Sequence, residues 1–570
     1  MVFARLSTGT HEIAPRRHIC AAHALAAAAL ASVPQIAPVA AQQFGGPGVI
    51  GNLEPTLTFK TEYLGYAASV SPRAAYSSNI NLAPDGFEQD EYFVSNLISG
   101  NAIYSTKRFT GLIQGDLDVS YLTDSDDVNV NQQIAGVGTA TLAENLFYFD
   151  VSGSTSRQLV GDNARFSPNI NAARNQQVNV HSFALSPYLN RQFDDGSTAE
   201  VRYRFSQIFV GDGNLADLLN DSQSQELIGV YDTGDRLGDL TLRLTAYGAR
   251  TDESGSRFAP EFEYEQGSII GEAEYALTPK FALTGSLGVD EVRSDAPEAL
   301  IPTDDLSGLN WLAGFRYRPS RRTDLLLQYG ERFGDDYINA QFSYTISPRV
   351  RFTAGGTRQF ITRAQNVNSS FTNTQRSVLD FAEQLRLSDE GIAPTGVIRS
   401  ANAFGNQFRV FQTIGVGASE IYNASLIASF DRTQFNLNTF YANDDFNFRV
   451  IETIGGGVNV DHRLSRRASV YANVFYRFAD TSVDLDQCIA EPGFFGIDVT
   501  TPGVNAVDGC TAFAAVNGTT DTVGGRIGAR YQIFKNVAAF GEYARTQRFS
   551  EQSILEFEEN FVQAGIILDF

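Results

Sequence analysis

Side chains that could make or break bonds are few in this 570-residue sequence, and they are badly spaced for the work. Beyond the N-terminal stretch the histidines are His181 and His462 alone. His181 adjoins Ser182, but neighbours on an extended chain point to opposite faces, so the pair cannot act as base and nucleophile. The acidic pairs Asp126-Asp127, Asp304-Asp305 and Asp444-Asp445 read as solvated loop residues, and no Walker, dinucleotide or zinc-protease spacing occurs. An enzyme is therefore not expected, and neither a cofactor nor a metal is called for. Cys488 and Cys510 stand 22 positions apart without a nearby histidine, which points to a disulfide rather than a metal site. Such a bridge would stabilise its loop by roughly 3 kcal/mol on the chain-entropy model.

Arginines supply the remaining chemistry, and what they can do depends on the elements that carry them. From Tyr66 onward apolar and polar residues alternate in runs of about 10 to 13 residues, the strand period at membrane-barrel length. Val201-Arg202-Tyr203-Arg204-Phe205, Leu240-Thr241-Leu242-Arg243-Leu244 and the run from Val470 to Phe478 are the clearest cases. Strands of a soluble sandwich are usually about half as long. A charge at mid-membrane on the lipid face costs about 2–4 kcal/mol, so Val201, Tyr203, Phe205, Phe315, Tyr317, Val350 and Phe352 should face lipid. Arg202, Arg204, Arg243, Arg316, Arg318, Arg349, Arg351 and Arg477 then line the lumen. They form either a cationic collar for anionic or uronic-acid-bearing solutes or pairs with carboxylates such as Glu200, Glu272 and Glu331.

The connections alternate in length as well. Thr106-Lys107, Ala143-Glu144-Asn145, Thr278-Pro279-Lys280, Pro319 to Arg322, Ser347-Pro348-Arg349, Ser465-Arg466-Arg467 and Lys535-Asn536 are short. Leu122 to Asn131, Val210 to Ser222, Arg293 to Ser307, Thr362 to Glu420 and Thr481 to Thr522 are longer and rich in Asp, Asn, Gly and Ser. Short periplasmic turns with longer extracellular loops are the asymmetry of an outer-membrane barrel. The expectation is an all-β fold, a transmembrane antiparallel outer-membrane β-barrel of about 20–22 strands, with 22 counted from Tyr66–Ser78 to Glu558–Phe570. An extra hairpin within Asn406 to Gly417 would change that count. In Thr362 to Glu420, Val378, Phe381, Ala382 and Leu385 fall at helical spacing. That helix would either fold inward and narrow the pore or lie over its mouth.

The N-terminus fits this location. Arg16, Arg17 and His18 precede the apolar stretch Ile19 to Val33, and Pro38-Val39-Ala40-Ala41 offers small residues for cleavage before Gln42. The expected organisation is a signal peptide at 1–41, a short periplasmic segment at 42–65 and the barrel at 66–570. A net charge of −22 argues against a nucleic-acid partner. Mean hydropathy is −0.16, and no later stretch is apolar enough for a spanning helix. The last segment places Val562, Ala564, Ile566, Leu568 and Phe570 on one face, with Gln563, Gly565 and Asp569 opposite. That is an assembly signal for the outer-membrane insertion machinery.

Ser71-Pro72-Arg73, Tyr76 to Pro84, and Gly100-Asn101-Ala102-Ile103-Tyr104 resemble the opening strands of a family of β-barrel porins, the porin 2-like outer-membrane proteins associated with exopolysaccharide loci. Ser78 departs from the Asp expected there. The resemblance implies an outer-membrane pore and a route for polysaccharide or oligosaccharide. Its partners would be outer-membrane lipid and lipopolysaccharide, the assembly machinery and polysaccharide export components. A TonB-dependent transporter is disfavoured, because a plug domain does not fit within residues 42–65. Two functions stay open: a transport pore, or a structural or adhesive surface barrel whose lumen is shut.

Overall fold

In the computed structural model, residues 58–61 and 64–570 are described, apart from 160–164, 212–218, 256–260, 297–302, 363–415, 446–448, 517 and most of 491–504. The chain is a closed antiparallel β-barrel of 22 strands, the first Leu64–Ser77 and the last Phe557–Asp569. Each strand pairs with its sequence neighbours, and these two pair with each other. Closure leaves the wall without an open edge, which hydrocarbon requires because it offers backbone N–H and C=O groups no other partner.

The two-residue alternation decides which way each side chain points. In Leu64–Ser77 the buried positions are Gly65, Ala67, Ser69, Ser71, Arg73, Ala75 and Ser77, while the outward set includes Val70, Pro72, Ala74 and Tyr76. Around the wall large apolar side chains are exposed, among them Val201, Leu287, Val474 and Ile566, whereas Ser, Thr, Asn and charged groups are buried inside. This inverts a soluble protein and matches a bilayer outside with a polar lumen. Tyr104, Tyr275, Tyr317, Tyr344 and Tyr531 ring the rim of short turns, and Tyr92, Tyr121 and Tyr329 lie toward the other rim. These are the aromatic girdles of an outer-membrane barrel. The protein is therefore a bacterial outer-membrane β-barrel.

Several sequence-based boundaries shift. Val128 and Val130 face out while Asn129 and Asn131 are buried, so Asp127–Ala143 is strand, and the expected loop Leu122 to Asn131 shrinks to the turn 123–126. Its Asp and Asn content imitates a loop, yet the alternation is that of a strand. Thr362 pairs with Val416, so Ser419 and Glu420 belong to the wall. The helix expected at Val378 to Leu385 and the hairpin expected within Asn406 to Gly417 fall on 363–415, outside the described residues, up to Val416. Residues 1–41, read as a signal peptide, also lie outside them. A short strand, Thr58–Thr61, pairs with Leu64–Tyr66, which Phe557–Asp569 is too short to reach.

The connection after Ala468–Val483 holds two helices, Leu485–Ala490 and Ala506–Val516, joined by a Cys488–Cys510 disulfide with both cysteines fully buried. The two-residue turn Phe333-Gly334 has φ of 53° and 77°. That conformation closes a hairpin but disfavours a bulky side chain. Phe333 is held there because its ring is buried in a cluster with Tyr264, Leu306, Phe360 and Ile451, inside the outer rim. Tyr264 and Phe360 sit on strands five places apart and meet edge to face at 6.3 Å, so the cluster bridges lumen space rather than neighbouring strands.

Candidate functional site

The lumen is narrowed by a segment that the sequence did not single out. Between Phe147–Leu159 and Gln177–Gln192, residues 165–176 turn into the barrel instead of standing clear of it. Pro168, Asn169, Ile170 and Asn171 break the strand period, and the asparagines find partners on the inner wall.

Most side chains of the segment have a specific seat. Arg165 donates to the carbonyl oxygens of Leu82 at 2.8 Å and Ile554 at 3.2 Å, and burial lowers its pKa from the ordinary guanidinium value. The Phe166 ring lies under the Arg477 guanidinium, 4.9 Å away. Ser167 and Asn169 both donate to Glu559, the latter at 2.9 Å, and Ser77 donates to the same carboxylate at 2.6 Å. Asn171 donates to Ser120 at 3.0 Å and accepts from Asn129 at 2.6 Å. Arg157 donates to Asn129 and Asn131 and so fixes these acceptors in turn. Ala172 and Ala173 pack with Leu82 and Phe557. Arg174 closes the segment on Asp127 at 2.6 Å.

Glu559 organises this seat. It is a carboxylate on the last strand, 1% exposed, with donors from the first strand and from the inward segment. A charge removed from water needs such donors, and removing the acceptor would strand all of them. A sequence signal for it exists: Glu559 occupies an inward position on a strand whose next inward residues are Phe561, Gln563 and Gly565.

The eight arginines expected in the lumen fall into two groups. Arg202 reaches Asp150 at 2.6 Å and Glu200 at 2.9 Å and stacks on Tyr188 at 3.7 Å. Arg204 pairs with Glu226 at 2.9 Å, and Arg243 lies 3.9 Å from Glu272. Arg316 makes a two-pronged contact with Asp324, and both Arg316 and Arg318 approach Glu274. Arg349 sits in a turn and pairs with Asp431 at 3.0 Å. These arginines carry carboxylate partners, so the collar is locally neutralised and braces neighbouring strands. Arg351, exposed, donates to Ser343. Arg477 lies in the outer half of its strand, against the inward segment.

Another part of the inner wall carries a row of asparagines. Asn436, Asn459 and Asn473 stand side by side on three consecutive strands, with Asn438 two residues along from Asn436. Asn473 donates to Asn459 at 2.7 Å. Both carboxamide atoms of Asn436 and of Asn438 are buried without a hydrogen-bond partner. Among the described residues no group of His, Cys, Asp and Glu is arranged to hold a metal. Val562, Ala564, Ile566, Leu568 and Phe570 share the outward face of the last strand, with Phe570 70% exposed.

No family model matches the chain, and no curated protein does. Solved structures do. The siderophore receptor PirA from Acinetobacter baumannii is 9% identical, covering 89% of this chain and 80% of its own at a TM-score of 0.45. The ferric-catecholate import receptor Fiu from E. coli K12 is 9% identical, covering 90% and 82% at 0.45. The copper transporter OprC is 10% identical, covering 91% and 81% at 0.36. The narrower resemblance to exopolysaccharide-associated porins gains no support from these comparisons.

Proposed function

We propose that this barrel is an outer-membrane channel for hydroxyl-rich solutes of the oligosaccharide class, narrowed at rest by its own segment 165–176. The observation that carries the reading is the asparagine row. A carboxamide offers donors and acceptors at once, which complements a sugar hydroxyl, and those of Asn436 and Asn438 are buried in the wall with neither engaged. Leaving such groups unpaired costs about 1–3 kcal/mol each, a cost that a glycan hydroxyl would relieve on displacing what covers them. Exopolysaccharide as the permeant is the polymeric version of the same chemistry, and export components would be its periplasmic partners.

The test is single-channel recording in planar bilayers with maltooligosaccharides added. Wild-type protein should conduct weakly. Excision of 166–172 should raise the conductance, and oligosaccharide should interrupt the current of the widened channel. Asn436→Ala with Asn438→Ala should shorten those interruptions several-fold. A widened channel indifferent to oligosaccharide would refute the permeant class. A second reading, a structural barrel with a shut lumen, draws on the apolar cluster around Phe333 and Phe360 inside the outer rim. Absence of conductance even after excision would establish that reading in place of the first.

A further inference from the structure

The chain carries a net charge of −22, yet one end of the barrel reverses that sign. Seven turns, 279–280, 321–322, 348–349, 430–432, 464–467, 535–536 and 106–108, follow one another round the rim of short turns, across the closing pair of strands. Between them they hold ten lysines and arginines and one acid, Asp431. Asp431 is taken up by Arg349 at 3.0 Å. Lys107, Arg108, Arg321, Arg322, Arg466 and Arg467 are exposed and form no ion pair among the described residues. The sequence has four lysines, Lys60, Lys107, Lys280 and Lys535. Three lie in these turns, and Lys60 belongs to Thr58–Thr61, which pairs at the same end of the barrel.

The rest of the rim is acidic. The turns 144–146, 193–197 and 233–239 carry Glu144, Asp194, Asp195, Asp235 and Asp239 against Arg236, which pairs with Asp195 at 3.4 Å. A surface charged for solubility alone would intersperse the two signs, whereas here they are sorted by side. Like charges on neighbouring turns repel, so the basic arc is unfavourable for the isolated barrel and is relieved by an anionic partner.

The depth of the arc says what that partner is. Tyr104, Tyr275, Tyr317, Tyr344 and Tyr531 mark the edge of the hydrocarbon at this rim. Lys107, Lys280, Arg321, Arg349 and Lys535 follow them by a few residues, and at about 3.3 Å per residue along a tilted strand this places the cations at headgroup depth. Exposed apolar side chains stand among them: Phe430 is 50%, Leu464 54% and Phe534 70% exposed. Cations interleaved with apolar side chains suit a lipid surface, where the charge meets phosphate and the apolar group enters the acyl boundary. A soluble polyanion would use the first and gain nothing from the second.

We infer that this arc is a binding surface for anionic phospholipid of the periplasmic leaflet. It gathers lipids with a net negative headgroup on one side of the barrel and leaves the acidic side without them. The surface lies at the rim, apart from the asparagine row, and its test does not depend on solute conduction.

Fluorescence quenching in the folded full-length protein decides the matter. Leu464→Cys carries a fluorophore in the basic arc and Phe193→Cys carries one in the acidic turns, each in phosphatidylcholine liposomes doped with a lipid spin-labelled high on its acyl chain. At Leu464→Cys, spin-labelled phosphatidylglycerol should quench at least threefold more than spin-labelled phosphatidylcholine. At Phe193→Cys it should have no advantage. High salt should reduce the difference, since these charges are exposed. Replacing Arg321, Arg322, Arg466 and Arg467 together by glutamine should bring the two lipids level at Leu464→Cys, with heat-modifiable migration in SDS gels showing the barrel folded. The two-site comparison itself needs no charge substitution. Equal quenching by the two lipids at Leu464→Cys with the arc intact would overturn the proposal and leave the arc to a soluble polyanion such as peptidoglycan. An equal phosphatidylglycerol excess at Phe193→Cys, or full preference in the glutamine variant, would overturn it as well.

Discussion

Substitution of Glu559 by alanine tests how the inward segment is held. Two bonds tie the segment to this carboxylate, from Ser167 and Asn169, and a third comes from Ser77 in the wall. Hydrogen bonds to a charged group contribute about 1.5–3 kcal/mol each, so the two from the segment represent about 3–6 kcal/mol of gross attachment. Against this stands the desolvation of a buried carboxylate, itself several kcal/mol, which the alanine no longer suffers. A net loosening of about 1–3 kcal/mol is the expected balance, a shift of roughly five- to 150-fold toward the released segment. The remaining attachments, Asn171 on Ser120 and Arg174 on Asp127, would limit the excursion. In planar bilayers Glu559→Ala should open more often, and to higher conductance, than wild type, and protease added from the extracellular side should cleave within 165–176. Glu559→Gln keeps one acceptor oxygen and should fall between the two. An unchanged conductance together with unchanged protease resistance would mean that the carboxylate does not hold the segment, and the reasoning would fail.

Arg202→Met should lower the thermal transition of the folded barrel, read by heat-modifiable migration in SDS gels. It leaves the buried Asp150 carboxylate without its cation and removes the contacts with Ser186 and Tyr188, a loss of about 3–5 kcal/mol. Cys488→Ser with Cys510→Ser should speed amide exchange in 485–516, through a local loss of roughly 3 kcal/mol, and leave the strands unaffected. The turn at Asp195 supplies a pH test. Hydrogen bonds from the Ser197 side chain and backbone, helped by Arg236, hold its carboxyl below the ordinary aspartate value. A depressed folded pKa stabilises above the unfolded value, about 3.9, and the benefit is lost as pH falls through the folded one. Protection of the amides in 193–197, relative to their intrinsic exchange at each pH, should therefore be constant at neutral pH and fall only in acid.

What the sequence determined by itself was the wall. A strand's side chains alternate with a period of two, and hydrocarbon penalises polar groups on one of the two faces, so Val201-Arg202-Tyr203-Arg204 or Val562 to Phe570 can be oriented without coordinates. The turns at Thr106-Lys107 and Lys535-Asn536 punctuate the same rhythm, and from it the 22-strand count follows. The pairing of Cys488 with Cys510 was suggested by their isolation in one loop. What only the tertiary structure decided was everything that crosses the lumen. Which carboxylate meets Arg316 depends on strand register, and register is set by the whole ladder, so Asp324 and Glu274 were not predictable from the sequence. The inward seat of 165–176 joins Asn171 to Ser120, 51 positions away, and Ser167 to Glu559, 392 positions away, and the second pair become neighbours only when the last strand closes on the first.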